Sequence, residues 1–272
     1  MIKKRICALV LALVLSMSMV VQTAAVELPS VLVDGEMLEL DAPVSVIDQT
    51  TYISYWPVVK AFYPDATAVW EEDRAVVRAE GLTMEIQPGQ RYIVANGRYL
   101  WVEKGVQVTD NILTVPVRVL GRALGLDVSW DGELGAVNLS ANGNGPIKSG
   151  EEFYAKDVLY WLSHIIHAES GNQPLEGRIA VGNVIRNRVA SPIFPNTVYE
   201  VIHQKNQFTP VRNGTIKLEP TAMSVVAAKL VMEGVNIAGD SLYFINPKVS
   251  GRSWVARTRT HVTTIASHAF YL

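Results

Sequence analysis

The chain has 272 residues, with 24 Lys and Arg against 26 Asp and Glu and a formal net charge of −2. With 49% hydrophobic and 18% charged residues it has an ordinary folded composition, which excludes wholesale disorder, and its near-neutral balance makes no case for a nucleic-acid partner. The single Cys, Cys7, lies close to the N-terminus, so a chain processed beyond it has no disulfide, thiolate nucleophile or cysteine-held metal.

In chain order, Lys3, Lys4 and Arg5 precede an uncharged apolar run from Ile6 to Val21, and Thr23-Ala24-Ala25 follows. That is the layout of a signal peptide over residues 1–25, cleaved near Ala25. The run is shorter than the roughly 18–20 residues of a membrane span, so membrane contact is expected only during export. The remainder is long enough for two modest domains. Residues 26–150 hold 17 acidic and 9 basic side chains, whereas residues 151–272 hold 9 and 12.

The first of these regions repeats itself at about 60 residues. Thr51-Tyr-Ile-Ser with Ala68-Val-Trp70-Glu71 is matched by Ile112-Leu-Thr-Val with Val128-Ser-Trp130-Asp131. Asp34-Gly35 and Asn96-Gly97 stand at equivalent positions and favour tight hairpins, because both central residues tolerate positive φ. Each repeat is therefore expected to form a hairpin, a short helix (Val58–Tyr63; Val117–Leu124) and a strand pair around its Trp. Trp70 and Trp130, being repeat-equivalent, are expected in the core rather than as sugar platforms. These residues resemble the copper amine oxidase N-terminal stalk domain over about residues 30–140, which implies a spacer or wall-binding module. Copper ligands are missing, since residues 26–150 contain neither His nor Cys. A Gly, Asn, Pro and Ser-rich stretch, residues 141–150, reads as the linker.

Beyond the linker the periodicity becomes helical. Ala155, Val158, Leu162 and Ile165 mark one face of a helix starting near Glu151. A second helix is expected from about Pro174 to Val189, with Arg186 and Arg188 near its C-terminal end. A third is expected from Glu219 to Glu233, and a last one around Thr263 to Phe270. One more step of four along the first stripe reaches Glu169, so a carboxylate is expected on the apolar side of a helix end. Desolvation and the negative helix terminus would favour its neutral acid there, a cationic His167 would oppose both, and a helix ending earlier would leave Glu169 solvated.

The stretch His167-Ala-Glu169-Ser-Gly-Asn-Gln-Pro-Leu-Glu176-Gly-Arg-Ile-Ala-Val-Gly-Asn-Val-Ile-Arg-Asn-Arg188 resembles the SleB-type cell wall hydrolases, the family of spore cortex-lytic enzymes. The likeness continues through Phe194-Pro195, Gln207-Phe208-Thr209, Leu242-Tyr-Phe-Ile-Asn-Pro247 and the closing His268 to Tyr271. It implies a two-domain protein: an α+β two-repeat stalk, then an α-rich lysozyme-like domain of the lytic transglycosylase type over residues 151–272. The implied activity is cofactor-free cleavage of peptidoglycan glycan strands in the cell wall, with Glu169 as the acid/base. Many relatives carry Arg-Gly-Glu after the Ala-Glu pair, where this chain has Ser170-Gly171-Asn172. Glu176 is the next acid, a first-turn residue expected to orient the site and contact the substrate. Tyr243, Phe244 and Asn246 are candidate sugar contacts, with Gln207 and Thr209 lining the same cleft. Three alternatives stay open: ordinary hydrolysis at the same bond, a non-catalytic wall-binding protein, and a zinc amidase using His164 and His167. The last lacks the His-Glu-x-x-His order.

Overall fold

The computed structural model describes residues 28–250 and 253–272, so the expected signal peptide lies outside the described residues. Two regions are seen, as the change of periodicity predicts: a β-rich one up to about residue 141, then a mostly helical one.

The two repeats build the first region around a shared seam. Strand Thr50–Ser54 of the first repeat pairs antiparallel with its counterpart Ile112–Pro116, Val115 opposite Ile53. Strand Ser30–Val33 runs parallel to Ala136–Ala141 at the far end of the second repeat. Both expected hairpin turns form, with φ of 50° and 86° at Asp34 and Gly35 and 49° and 75° at Asn96 and Gly97. Tyr52, Ile53, Met84, Ile93, Leu100, Leu120 and Leu139 fill the core beneath three sheets. The tryptophans are not in it. Trp70 is 59% and Trp130 58% exposed, because each sits on an edge strand (Thr67–Glu71; Leu126–Asp131) with no second layer over it.

The second region is organised by three helices. Lys156–Ser170, the Glu169 helix, packs through Leu162, Ile165 and Ile166. Leu175–Ala190, the Arg188 helix, is buried on nearly all sides, and Ala222–Met232 completes the layer. A Cβ at Gly182 would stand 2.8 Å from Ile166 and 2.9 Å from Val231, so a glycine there lets the three helices close up. The expected C-terminal helix is instead a hairpin, His261–Ile265 with His268–Tyr271, extended by Tyr243–Ile245. The β-branched run Val262 to Ile265 suits a pleated strand, and Ala266 takes a φ of 52° in the turn.

The linker is tied down. Ile147 N donates to Ala123 O, Gly150 N to Asn96 O, and the Asn96 amide to Ile147 O. Beyond it, Glu233 joins the two regions. Its side chain is 1% exposed and accepts from Arg98 at 2.8 and 2.7 Å, from Arg122 at 2.5 Å and from the Tyr154 hydroxyl at 2.7 Å. Arg98 also lies over the Phe153 ring, and Tyr92, Tyr99 and Trp101 pack on the helical core.

Candidate active site

Glu169 occupies the last turn of its helix, one step beyond the buried Leu162 and Ile165. The helix stops directly after it: the Ser170 hydroxyl turns back to Ile166 O at 2.7 Å and Gly171 N donates to His167 O. The following loop, where the chain departs from the family pattern, is held from behind. Arg178 donates to Gly171 O at 2.6 Å and Gln173 O at 2.8 Å, and also to the Thr221 and Ser224 hydroxyls. Gln173 in turn accepts from Ser267 N.

The Glu169 carboxyl opens into a cavity of about 430 Å³ lined by Ala168, Arg188, Gln207, Phe208, Thr209, Pro210, Asn213, Thr215 and Phe244. Among the described residues it has neither a hydrogen-bond partner nor an ion pair, and the cavity contains no second carboxylate. Burial lifts its pKa from 4.5 to about 7, against the opposing charge of Arg188. A large fraction of Glu169 is therefore protonated at neutral pH, as a general acid requires.

The cavity thus brings Gln207, Thr209 and Phe244 together with Glu169. Tyr243 stands behind Arg188, its ring 5.4 Å from the guanidinium carbon. Glu176 and Asn246 do not line the cavity. Glu176 pairs with Arg91 of the first region at 2.6 Å, and the Asn246 side-chain oxygen accepts from Lys248 N at 3.1 Å to cap the next turn. The rival metal set does not assemble either. His164 lies tilted against the Tyr160 ring and is bonded through Nδ1 to Tyr160 O, and among the described residues no three His, Cys, Asp or Glu side chains converge.

Arg188 is the principal residue that sequence reasoning missed. Its place near a helix end predicts only a charge complementing the helix dipole, yet it is 5% exposed. A signal was present: Arg188 follows the buried Val181, Val184 and Ile185 at helical spacing, as Glu169 follows its own stripe. Two apolar stripes, each ending in a charge, converge on one cavity.

Two family models match separate stretches of the chain. The family model described as Cell Wall Hydrolase matches residues 172–271, and that of the Copper amine oxidase N-terminal domain matches residues 32–139. The spore cortex-lytic enzyme of Oceanobacillus iheyensis is 31% identical over 151 residues, 54% of this chain and 54% of that protein. The Bacillus cereus enzyme is 34% identical over 117 residues, 43% of this chain and 45% of its own length. The chain thus spans about half the length of the curated relatives it matches. Among solved structures, the catalytic domain of the germination-specific lytic transglycosylase SleB from Bacillus anthracis is 32% identical, over 46% of this chain and 100% of that one, with a TM-score of 0.42.

Proposed function

Because this chain belongs to the cell wall hydrolase family through residues 172–271, we propose that it is a lytic transglycosylase acting on the glycan strands of peptidoglycan. The bond cleaved is the β-1,4 link between N-acetylmuramic acid and N-acetylglucosamine, and Glu169, just ahead of the matched span, is the acid/base. The observation that carries this reading is a single carboxyl, held near neutrality by burial, in a cavity that contains no other acid.

Most glycosidases use two carboxylates, one to protonate the leaving oxygen and one to attack or activate water. With one, the second function must come from the substrate. Glu169 donates its proton to the glycosidic oxygen as the C1–O bond breaks. The C6 hydroxyl of the same muramyl residue bonds to C1, and the Glu169 carboxylate accepts the hydroxyl proton. The products are a 1,6-anhydro-muramyl end and a free 4-hydroxyl on the glucosaminyl fragment, and Glu169 is again protonated. Gln207 and Thr209, both exposed on the cavity wall, are the polar contacts we assign to the sugar, with Phe244 as its apolar face. Such a substrate sets the place of action in the cell wall, in keeping with the leader read at residues 1–25.

The test is mass spectrometry of fragments released from purified peptidoglycan by the chain lacking residues 1–25. Anhydro-muramyl ends are expected. Reducing muramyl ends would replace this mechanism with hydrolysis, and full activity in Glu169→Gln would end the assignment.

A further inference from the structure

We infer that Arg188 is a positioning residue for Glu169: a cation locked into the cavity wall by neutral acceptors and aromatic faces, favouring the carboxylate that Glu169 becomes once its proton is given up. This rests on the glycan-cleaving reading above, which requires Glu169 to release a proton and then recover one.

The geometry explains why Arg188 is where it is. Its Nε donates to Leu242 O at 2.7 Å and one terminal nitrogen to the Gln207 side-chain oxygen at 3.3 Å. The rings of Phe194, Phe208 and Tyr243 surround the guanidinium at 4.9 to 5.4 Å from its carbon. Among the described residues no carboxylate comes within 4.0 Å of it. A buried cation with no carboxylate partner is costly, and packing alone would be better served by an apolar side chain. Burial draws its pKa down to about 10, so it stays charged throughout the neutral range.

Other charged or titratable groups stand on the elements around the site, among them Arg212 on the short helix Thr209–Asn213 and Lys217 on the turn Thr215–Lys217. His167 lies on the Glu169 helix, and Arg178 on the Arg188 helix is committed to loop carbonyls. Tyr243 lies on its strand with Arg259 beyond it, and His268 sits against Phe244, its pKa lowered by burial. Of these, Arg188 is the charge that draws the Glu169 pKa back down. Its charge opposes desolvation, which alone would make Glu169 a reluctant donor. The balance suits a group that must act as acid in one half of the reaction and base in the other. The same guanidinium also fastens Gln207, a cavity residue, to the segment that leads into Tyr243.

The decisive variants are Arg188→Met and Arg188→Lys, read by pH dependence. Glu169 must be protonated to begin the reaction, so the wild-type rate falls on the alkaline side of its pKa. Removing the charge leaves desolvation unopposed, so the Met variant's alkaline limb is expected at higher pH. Lys keeps the charge but cannot span both acceptors. Its limb is expected to stay with wild type while kcat/KM drops about tenfold. A folded Met variant with a slower rate and an unmoved limb would show a merely structural role and overturn the inference. Should Met not fold, Arg188→Gln is read in the same way. A ¹³C titration of the Glu169 carboxyl in wild type and variant needs no turnover. If wild type releases no fragments, the function fails, while an unshifted Glu169 midpoint in the variant would sink the role of Arg188 independently.

Discussion

At Glu169, the proposed function and stability pull in opposite directions. Its folded pKa of about 7 lies above the unfolded value of 4.5, so between those values the folded state holds the proton more tightly. Stability from this group is fully present below about pH 4.5 and is lost as pH rises through 7. Glu169→Gln, neutral at every pH, is therefore expected to melt higher than wild type at pH 8, by on the order of 2–3 kcal/mol, with the difference vanishing at pH 4. Thermal unfolding at both pH values checks this, and equal melting at pH 8 would mean that the carboxyl is solvated. The same substitution should lower the rate of fragment release by about 10²- to 10⁴-fold, the usual contribution of a positioned general acid. The placement of Glu169 was legible because a charge continuing an apolar stripe is conspicuous in sequence. Arg188 carries the same signal, masked by its position near a helix end, where a cation is expected for the helix dipole alone. Glu176 and Asn246 illustrate the limit: each is near the site in sequence, but one is claimed by Arg91 and the other by Lys248 N.

The helical elements hold the cavity open by packing tightly behind it. Gly182 sits where the Arg188 helix meets Ile166 of the Glu169 helix and Val231 of the third. Gly182→Val is expected to force these helices apart, costing about 1–3 kcal/mol and lowering activity with it. A chemical denaturation midpoint unchanged from wild type would mean that the neighbours absorb the new side chain. Helix positions were readable because a period of 3.6 persists over three or four turns. The C-terminal hairpin was not, because Thr263 to Phe270 is short enough for either period and its partner strand, Tyr243–Ile245, is remote in sequence. Trp70 and Trp130 failed for a related reason. Strand alternation and repeat symmetry cannot reveal that a strand lies at a sheet edge, which the order of all strands decides.

On the scale of the whole molecule, the two regions behave as one docked unit in which Glu233 is the clamp. Two arginines and a phenol converge on a carboxylate that is 1% exposed, and the Tyr154 pKa is raised by burial and by that contact. Glu233→Ala leaves Arg98 buried beside Phe153 without its anion, a change that costs about 3–5 kcal/mol at a buried pair. Calorimetry is expected to show one cooperative transition in wild type and two in the variant, with proteolysis appearing within residues 142–149. Two separate transitions in wild type would contradict the docking. Sequence by itself determined the two-region plan, the repeat, both Asn-Gly and Asp-Gly type turns and the helix that carries Glu169, since all are written in the order and spacing of residue types along the chain. Only the tertiary structure decided that the linker is bound, that Glu233 joins the regions and that Arg188 and Glu169 line one cavity. Each of those pairs groups far apart in the chain, and burial, which gives such pairs their strength, exists only once the surrounding elements have packed.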